Sequence, residues 1–445
     1  MKINDLTQGR IYPQLIRLSL PLMGTALIQM SYNLMDMFWL GKLSTQSLAA
    51  TAAVGYISWL AMALVLMIRT GTEIGVGQSV GAKKLKDAQE FISTALFISL
   101  IVGAVYALGA VALRTQLIGL FRFEEEIIRQ EAYKYLLIVV LAYPFFFVNP
   151  IIGGIYHGAG NSKTPFLVNS VGLVMNMVLD PLFIFGLDMG IEGAALATAL
   201  ANFSVTFIYF LIRKREGLLS NLHFIKDFCF NKLKRILSWG YPAAVYNVFF
   251  VSVSTVISRQ VTTFSSGAFA AYEVGVQIEA IGWMMFGGLA TTLGVFVAQN
   301  YGAQDYSRML EGYKKGTRIA SVMGFFAMIV LYFFSSELMG LFIKDDPYAL
   351  NAGMQYLKIS ALIQVFASWE ASSQGGFNGI GRTKLPSVVG VFCNLIRIPL
   401  SFFLKDFFGL NGIWIAIGIS AGLRGLLLRI LFYFQGIRHI VKEQI

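Results

Sequence analysis

Twelve long apolar runs, separated by short polar breaks, dominate the chain: approximately 12–39, 46–80, 88–113, 133–158, 164–187, 191–214, 236–262, 268–300, 313–334, 353–378, 384–405 and 412–437. Crossing about 30 Å of hydrocarbon takes roughly 20 mostly apolar residues, so each run predicts a transmembrane helix. The second and eighth runs exceed what a crossing needs and are expected to tilt or to project beyond the bilayer. None alternates apolar and polar positions over segments of about 10 residues, as the strands of a membrane barrel would. The predicted fold class is therefore all-α integral membrane, with twelve transmembrane helices.

The pattern repeats itself at a constant offset of 221 residues. Pro21 falls on Pro242, Ala49-Ala50 on Ala270-Ala271, and Tyr135 on Tyr356. The loop Gln78-Ser79-Val80-Gly81-Ala82 falls on Gln299-Asn300-Tyr301-Gly302-Ala303. The turn Gly158-Ala159-Gly160-Asn161-Ser162-Lys163-Thr164-Pro165 falls on Gly379-Ile380-Gly381-Arg382-Thr383-Lys384-Leu385-Pro386. A three-residue deletion then shifts the offset to 218, where Gly172, Asn176 and Pro181 meet Gly390, Asn394 and Pro399. Such agreement at polar, Gly and Pro positions predicts two six-helix bundles arising from an internal duplication. The expected boundaries are an N-terminal lobe at 1–215, a basic linker at 216–235 and a C-terminal lobe at 236–445. Two bundles of the same orientation imply a pseudo-twofold axis along the membrane normal, the layout of parallel transporter repeats that rock about a central site. A two-lobed chain of this kind is expected to act as a monomeric carrier rather than as one of several short subunits around a pore.

Composition agrees with the pattern. Of 445 residues 56% are apolar and 13% charged, and the mean hydropathy is +0.66. Soluble globular chains carry about a quarter charged residues. Disordered ones are poor in apolar residues, so both classes are excluded. The net charge of +11 acquires a meaning once it is sorted by loop. With the N-terminus inside, 22 of the 35 basic residues fall in inner segments, eight in outer loops and five within runs. The stretch from Arg213 to Arg235 alone carries seven, against Glu216 and Asp227. That bias predicts both termini on the cytoplasmic side of the plasma (inner) membrane. No basic stripe is interleaved with aromatics, so nucleic acid is not an expected partner. Cys229 and Cys393 predict no disulfide framework. The opening MKINDLTQGR lacks the charged-then-apolar pattern of a cleaved leader.

Six of the 24 acidic residues lie within runs: Asp36, Glu73, Asp180, Glu273, Glu279 and Glu370. Each such charge costs about 2.5–3.5 kcal/mol even on the lenient insertion scale, and therefore needs a reason. Asp36 in the first run and Asp180 in the fifth both fall toward the outer ends of the N-terminal bundle. Tyr32 is one turn from Asp36, and Asn176 one turn from Asp180, on the same helix faces. Thr198 lies two turns in from the outer end of the sixth run, and Asn149 nearer the midplane of the fourth. Together they could line one polar pocket. A carboxyl taken out of water holds a proton more readily, and once ionised it attracts a cation, so such a group can exchange one for the other. The competing reading makes both aspartates hydrogen-bonded structural groups. Pro21 is expected to kink the first helix, either to let it bend or as a static packing feature.

The remaining acids carry less. Arg69 and Glu73, spaced i and i+4, are read as neutralising each other. Glu273 and Glu279 are expected to be wetted at the outer end of the eighth run, and Arg259 to reach toward water along its stem. Glu370, at the position of Asn149 in the repeat, is a candidate C-lobe site residue. Met30, Met35, Met37, Met175 and Met177 read first as packing. His157, His223 and His439 are scattered without metal-ligand spacing, so no bound metal is expected. No GxxxxGK[ST] loop and no Ser-His-Asp cluster occur, so neither an ATPase of that kind nor a hydrolase is expected.

With these features the chain resembles the multidrug and toxic compound extrusion (MATE) family, most closely its DinF branch. The Gln-x-x-Gly-Ala loops after runs two and eight, the Gly-x-Gly-x-x-Lys turns after runs four and ten, and the duplication carry the resemblance over nearly the whole chain. It implies export of amphipathic, often cationic compounds driven by inward H⁺ or Na⁺. It also implies that Asp36 is the proton-coupling aspartate, with Asn149, Asn176, Asp180 and Thr198 around it and Tyr135 in the same network. The sodium-coupled NorM branch carries a glutamate in span seven, roughly where this chain has Phe249-Phe250. That departure favours protons, although Na⁺ held by Asp36, Asn176 and Asp180 stays open.

The function expected is thus proton-coupled antiport of hydrophobic organic cations by alternating access, with no cofactor other than the coupling ion. Two alternatives are a sodium-coupled drug antiporter and a flippase for lipid-linked precursors. The flippase's anionic substrate would need a strongly basic cavity, and the few basic residues within runs do not gather near the N-lobe acids. A channel or receptor without coupled transport is the reading from another class.

Overall fold

The computed structural model describes residues 4–213, 227–344 and 346–436, and no strand occurs among them. Twelve long helices follow one another along the chain: α1 (Ile11–Leu43), α2 (Thr45–Gly81), α3 (Leu85–Ala112), α4 (Glu126–Gly158), α5 (Lys163–Gly186), α6 (Gly190–Arg213), α7 (Phe230–Thr262), α8 (Ser266–Gly302), α9 (Tyr306–Phe333), α10 (Pro347–Gly379), α11 (Lys384–Phe408) and α12 (Leu410–Phe434). They match the twelve runs expected from the sequence. Two helical turns that the pattern did not predict, Arg114–Gly119 and Ser335–Gly340, follow α3 and α9.

Eleven of the twelve are long and apolar enough to cross a membrane. The exception, α10, has 33 residues but carries Ser360, Gln364, Ser368, Ser372 and Ser373 on buried positions. It packs on α8, α9 and α12, so its polar side chains face protein and not lipid. In lipid every backbone polar group must be satisfied within the segment, which makes a helix the economical form for each crossing.

The described chain divides into two compact units. One holds Gly24–Gly240 together with Asn4 and Asp5; the other holds Leu6–Met23 and the chain from Tyr241 onward. The divisions fall inside α1 and α7, two residues after Pro21 and one before Pro242. Leu6, Ile11, Leu15 and Leu18 accordingly pack with Leu293, Val295 and Phe296 in the second unit. Ile236 and Trp239 pack with Ile68, Phe91 and Ile92 in the first. Of the linker expected at 216–235, residues 216–226 lie outside the described residues.

The duplication is visible in local geometry. Helices α2 and α8 both have 37 residues, and α3 and α9 both have 28. Ser44 and Ser265, 221 positions apart, cap α2 and α8 with the same extended backbone, each side chain accepting from the third residue on. The two Gly-x-Gly turns need their glycines for two reasons. A Cβ on Gly158 would lie 2.8 Å from the Glu73 carbonyl, and one on Gly379 would lie 2.6 Å from that of Gly294. Gly160 and Gly381 stand at φ 78° and 76°, in the left-handed region that favours glycine.

Candidate functional site

In the first unit α1, α4, α5 and α6 bring the expected polar residues together. Asn176 and Asp180, one turn apart on α5, are 0% and 1% exposed, and Asn176 Nδ2 donates to Asp180 Oδ1 at 3.1 Å. Asp36 on α1 faces both of them. Tyr32, one turn before Asp36, and Tyr135 on α4 both approach Thr198 on α6. Asp36 Oδ1, Asp180 Oδ2, Asn176 Oδ1 and the Tyr32 hydroxyl are buried with no hydrogen-bond partner. Buried polar atoms are nearly always satisfied, so four unsatisfied ones in one cluster single it out. All four sit around two carboxyl groups, and three of them are oxygens that only accept when those groups are ionised.

The backbone of α5 changes character at this point. Pro181 follows Asp180 directly, and the helix continues as a widened π turn over Leu182–Gly186. Such turns recur at functional sites because they re-aim neighbouring side chains.

Asn149 lies deeper and is already satisfied. Its Nδ2 donates to the Asn202 carbonyl at 2.9 Å, and its Oδ1 accepts from Thr206 Oγ1 at 2.6 Å. Asn202 in turn donates to the Thr198 carbonyl at 3.0 Å, so Asn149 reaches the carboxylates only through α6. Pro21 stands within a continuous α1, on the part of that helix belonging to the second unit.

A second buried group occupies the first unit. Glu73 Oε2 is 3.9 Å from His157 Nδ1, and Arg69 lies beside both. The i, i+4 spacing on α2 accounts for Arg69 acting on Glu73 through its charge, whereas the histidine arrives from α4. His223 and His439 lie outside the described residues.

The second unit holds its charge differently. Glu370 on α10 is buried, and its Oε2 is 2.7 Å from Nε of Arg424 on α12. Arg424 Nη1 donates to Asn394 Oδ1 at 3.2 Å, and its guanidinium lies over the rings of Tyr246 and Trp283 at 5.9 Å and 5.7 Å. Arg397, on α11 with Asn394, donates from Nε to Ser420 Oγ at 2.8 Å. Glu279 was expected to be wetted, and the structure corrects this: it is buried. Its Oε2 accepts from the Tyr356 hydroxyl at 2.6 Å, and its Oε1 from Gln364 Nε2 and Trp283 Nε1, both at 3.2 Å. Trp283 comes from α8 itself, one turn on from Glu279, while Tyr356 and Gln364 come from α10, whose polar face the composition of the run had hidden. Glu273, two turns earlier on α8, is exposed as expected.

Two buried arginines thus escaped assignment from the sequence, because an isolated Arg in an apolar run says nothing of what faces it. Cys229 and Cys393 are both free. Among the described residues no group of three or more His, Cys, Asp or Glu side chains could hold a metal ion.

Comparison with known proteins decides the family. The MatE family model matches this chain twice, at residues 21–182 and again at 242–403, which are 221 positions apart at both ends. The chain belongs to the MatE family. Among MatE relatives, the probable multidrug resistance protein NorM of Thermotoga maritima is 24% identical over 96% of this chain and 93% of its own. The probable multidrug resistance protein YoeA of Bacillus subtilis is 27% identical over 93% and 91%. A crystal structure of a MATE protein in a bent conformation superposes with a TM-score of 0.92 at 22% identity, covering 100% of this chain and 99% of the other. MatE proteins are transporters and not enzymes, and this one is a multi-pass membrane protein.

Proposed function

We propose that this MatE protein is a multidrug efflux transporter that exports amphipathic, chiefly cationic compounds in exchange for protons entering at Asp36 and Asp180. The observation that carries this reading is the meeting of Asp36, Asn176 and Asp180 in one apolar bundle. Two carboxylates held together repel when both are ionised, and either a proton or a cationic substrate relieves them. Occupation by one therefore weakens the case for the other, which is the elementary requirement of exchange. Tyr32, Tyr135 and Thr198 supply neutral polar contacts around the pair. The excess of basic residues in one set of loops supports cytoplasmic termini, and with them proton entry from outside.

If one proton exchanges for one monovalent cation, transport is electroneutral. A second proton would add about 2.3 kcal/mol per 100 mV of membrane potential.

A second reading is sodium coupling at the same place. Asp36 Oδ1, Asp180 Oδ2 and the unpartnered Asn176 Oδ1 form a set of oxygen donors suited to a hard cation. Purified protein in liposomes separates the two. A pH gradient imposed without sodium should drive cationic dye out of the vesicle interior, and Asp36→Asn should lower that rate at least tenfold. Transport driven by a sodium gradient alone would overturn proton coupling, and undiminished pH-driven transport in Asp36→Asn would remove that residue from the site.

A further inference from the structure

The two lobes place an asparagine at the same point of the repeat, Asn176 in one and Asn394 in the other. Beside Asn176 stand carboxylates. Beside Asn394 stand guanidinium groups. We propose that the C-terminal lobe carries a second ligand site, in which Arg397, Arg424 and Asn394 receive the carboxylate of an amphipathic substrate. The inference deepens the export reading, on which it rests, by adding an anion-bearing class of substrate.

Three observations carry it. Arg424 and Arg397 are 1% and 6% exposed, and each feels the other's charge. Only Arg424 has a carboxylate partner, Glu370. Among the described residues no Asp or Glu lies within ion-pair distance of Arg397, whose neighbours besides Arg424 are Tyr246, Tyr272 and Tyr356. The other buried acid of the unit, Glu279, is taken up by Tyr356, Gln364 and Trp283. Removing an unpaired charge from water is costly, and proteins retain such a charge where a partner arrives to meet it. Finally, Asn394 is fully buried and its Nδ2 lacks an acceptor. The buried cluster therefore presents donors in excess: two guanidinium groups that cannot accept, and an amide whose oxygen is already engaged by Arg424. A planar carboxylate matches a guanidinium fork. The rings of Tyr246 and Trp283 next to Arg424 offer an apolar flank for the rest of the molecule.

The test is equilibrium binding without any ion gradient, so that a failure of proton coupling cannot affect it. Full-length protein in phosphatidylcholine vesicles is titrated with a rhodamine bearing a free carboxylate and with the methyl ester of the same dye. Arg397→Gln should weaken binding of the acid about tenfold and that of the ester less than threefold, while Arg397→Lys, which keeps the charge but not the fork, should weaken the acid less than Arg397→Gln does. Thermal melting of both variants reports on folding, and the lysine variant keeps the comparison available if the glutamine one melts early. Equal losses for acid and ester, no loss for either, or no binding of the acid to the wild-type protein would overturn the site. A repeat with phosphatidylglycerol in the vesicles should leave the acid's affinity unchanged. A fall seen in the wild type alone would reassign the pocket to a lipid headgroup and overturn it as a substrate site.

Discussion

The two lobes descend from one scaffold and hold opposite electrostatics. Helix lengths, serine caps and glycine turns agree at a fixed offset, yet the position that is Asn149 in the first lobe is Glu370 in the second. Asp36 has Ile257 as its counterpart, and Asp180 has Ile398 at the shifted offset. In the N-terminal lobe two carboxylates face each other with few donors to settle them. In the C-terminal lobe Glu370 is matched by Arg424, Glu279 is matched by three neutral donors, and Arg397 stands in excess. Duplication fixed where a polar pocket can lie in each bundle. The charges were then chosen independently, so the fold alone does not say what either pocket binds.

The sharpest test of that contrast is a pair of neutralising substitutions read for both transport and stability. Asp180→Asn removes one of two like charges, so pH-driven efflux should fall at least tenfold while the melting temperature holds or rises. Glu370→Gln removes the counterion of a buried guanidinium that already has a second one nearby. Breaking a buried pair from one side costs about 3–5 kcal/mol, and its melting temperature should drop by several degrees. If both variants melt lower by similar amounts, the two lobes do not differ in whether their buried charges are paired.

How much of this was legible beforehand follows from what sequence can encode. Twelve crossings and the duplication could be read because hydrocarbon imposes one length scale and a repeat shows itself at a constant offset. Asp36, Asn176 and Asp180 could be singled out because charges are rare in these runs and one-turn spacing defines a face. What escaped was pairing between distant helices. Nothing near Arg424 in sequence names Glu370, 54 positions earlier, and nothing near Glu279 names Tyr356. Asn149 was expected in the cavity, and its two bonds to α6, to the Asn202 carbonyl and from Thr206, could not be read from its own run. The division of α1 and α7 between the units was likewise invisible, since each reads as one unbroken apolar run.

The bracing role of Asn149 gives a smaller effect. Asn149→Leu would remove one hydrogen bond each from Thr206 Oγ1 and the Asn202 carbonyl, which keep their 3.2 Å bond to each other, at about 1 kcal/mol. Because Asn202 is tied to the Thr198 carbonyl, the variant should also weaken cationic dye binding several-fold without changing the ion that drives transport. A variant that keeps its melting temperature but loses coupling to the pH gradient would instead place Asn149 in the proton site itself.

The smallest expected effect tests whether the lobes are mechanically equivalent where their geometry is. Ser44 and Ser265 each cap a 37-residue helix, accepting from Ser47 N and Ala268 N at 2.9 Å. Replacing such a cap by alanine costs about 1 kcal/mol. The Ser44 hydroxyl also donates to Ser47 Oγ at 2.8 Å, and Ser47 Oγ donates to Glu131 Oε2 at 2.8 Å, a chain that residue 268, an alanine, cannot make. Ser44→Ala should therefore lower the melting temperature more than Ser265→Ala, by a degree or two. Identical shifts would show that the Glu131 link adds nothing, and that the lobes differ in their pockets alone.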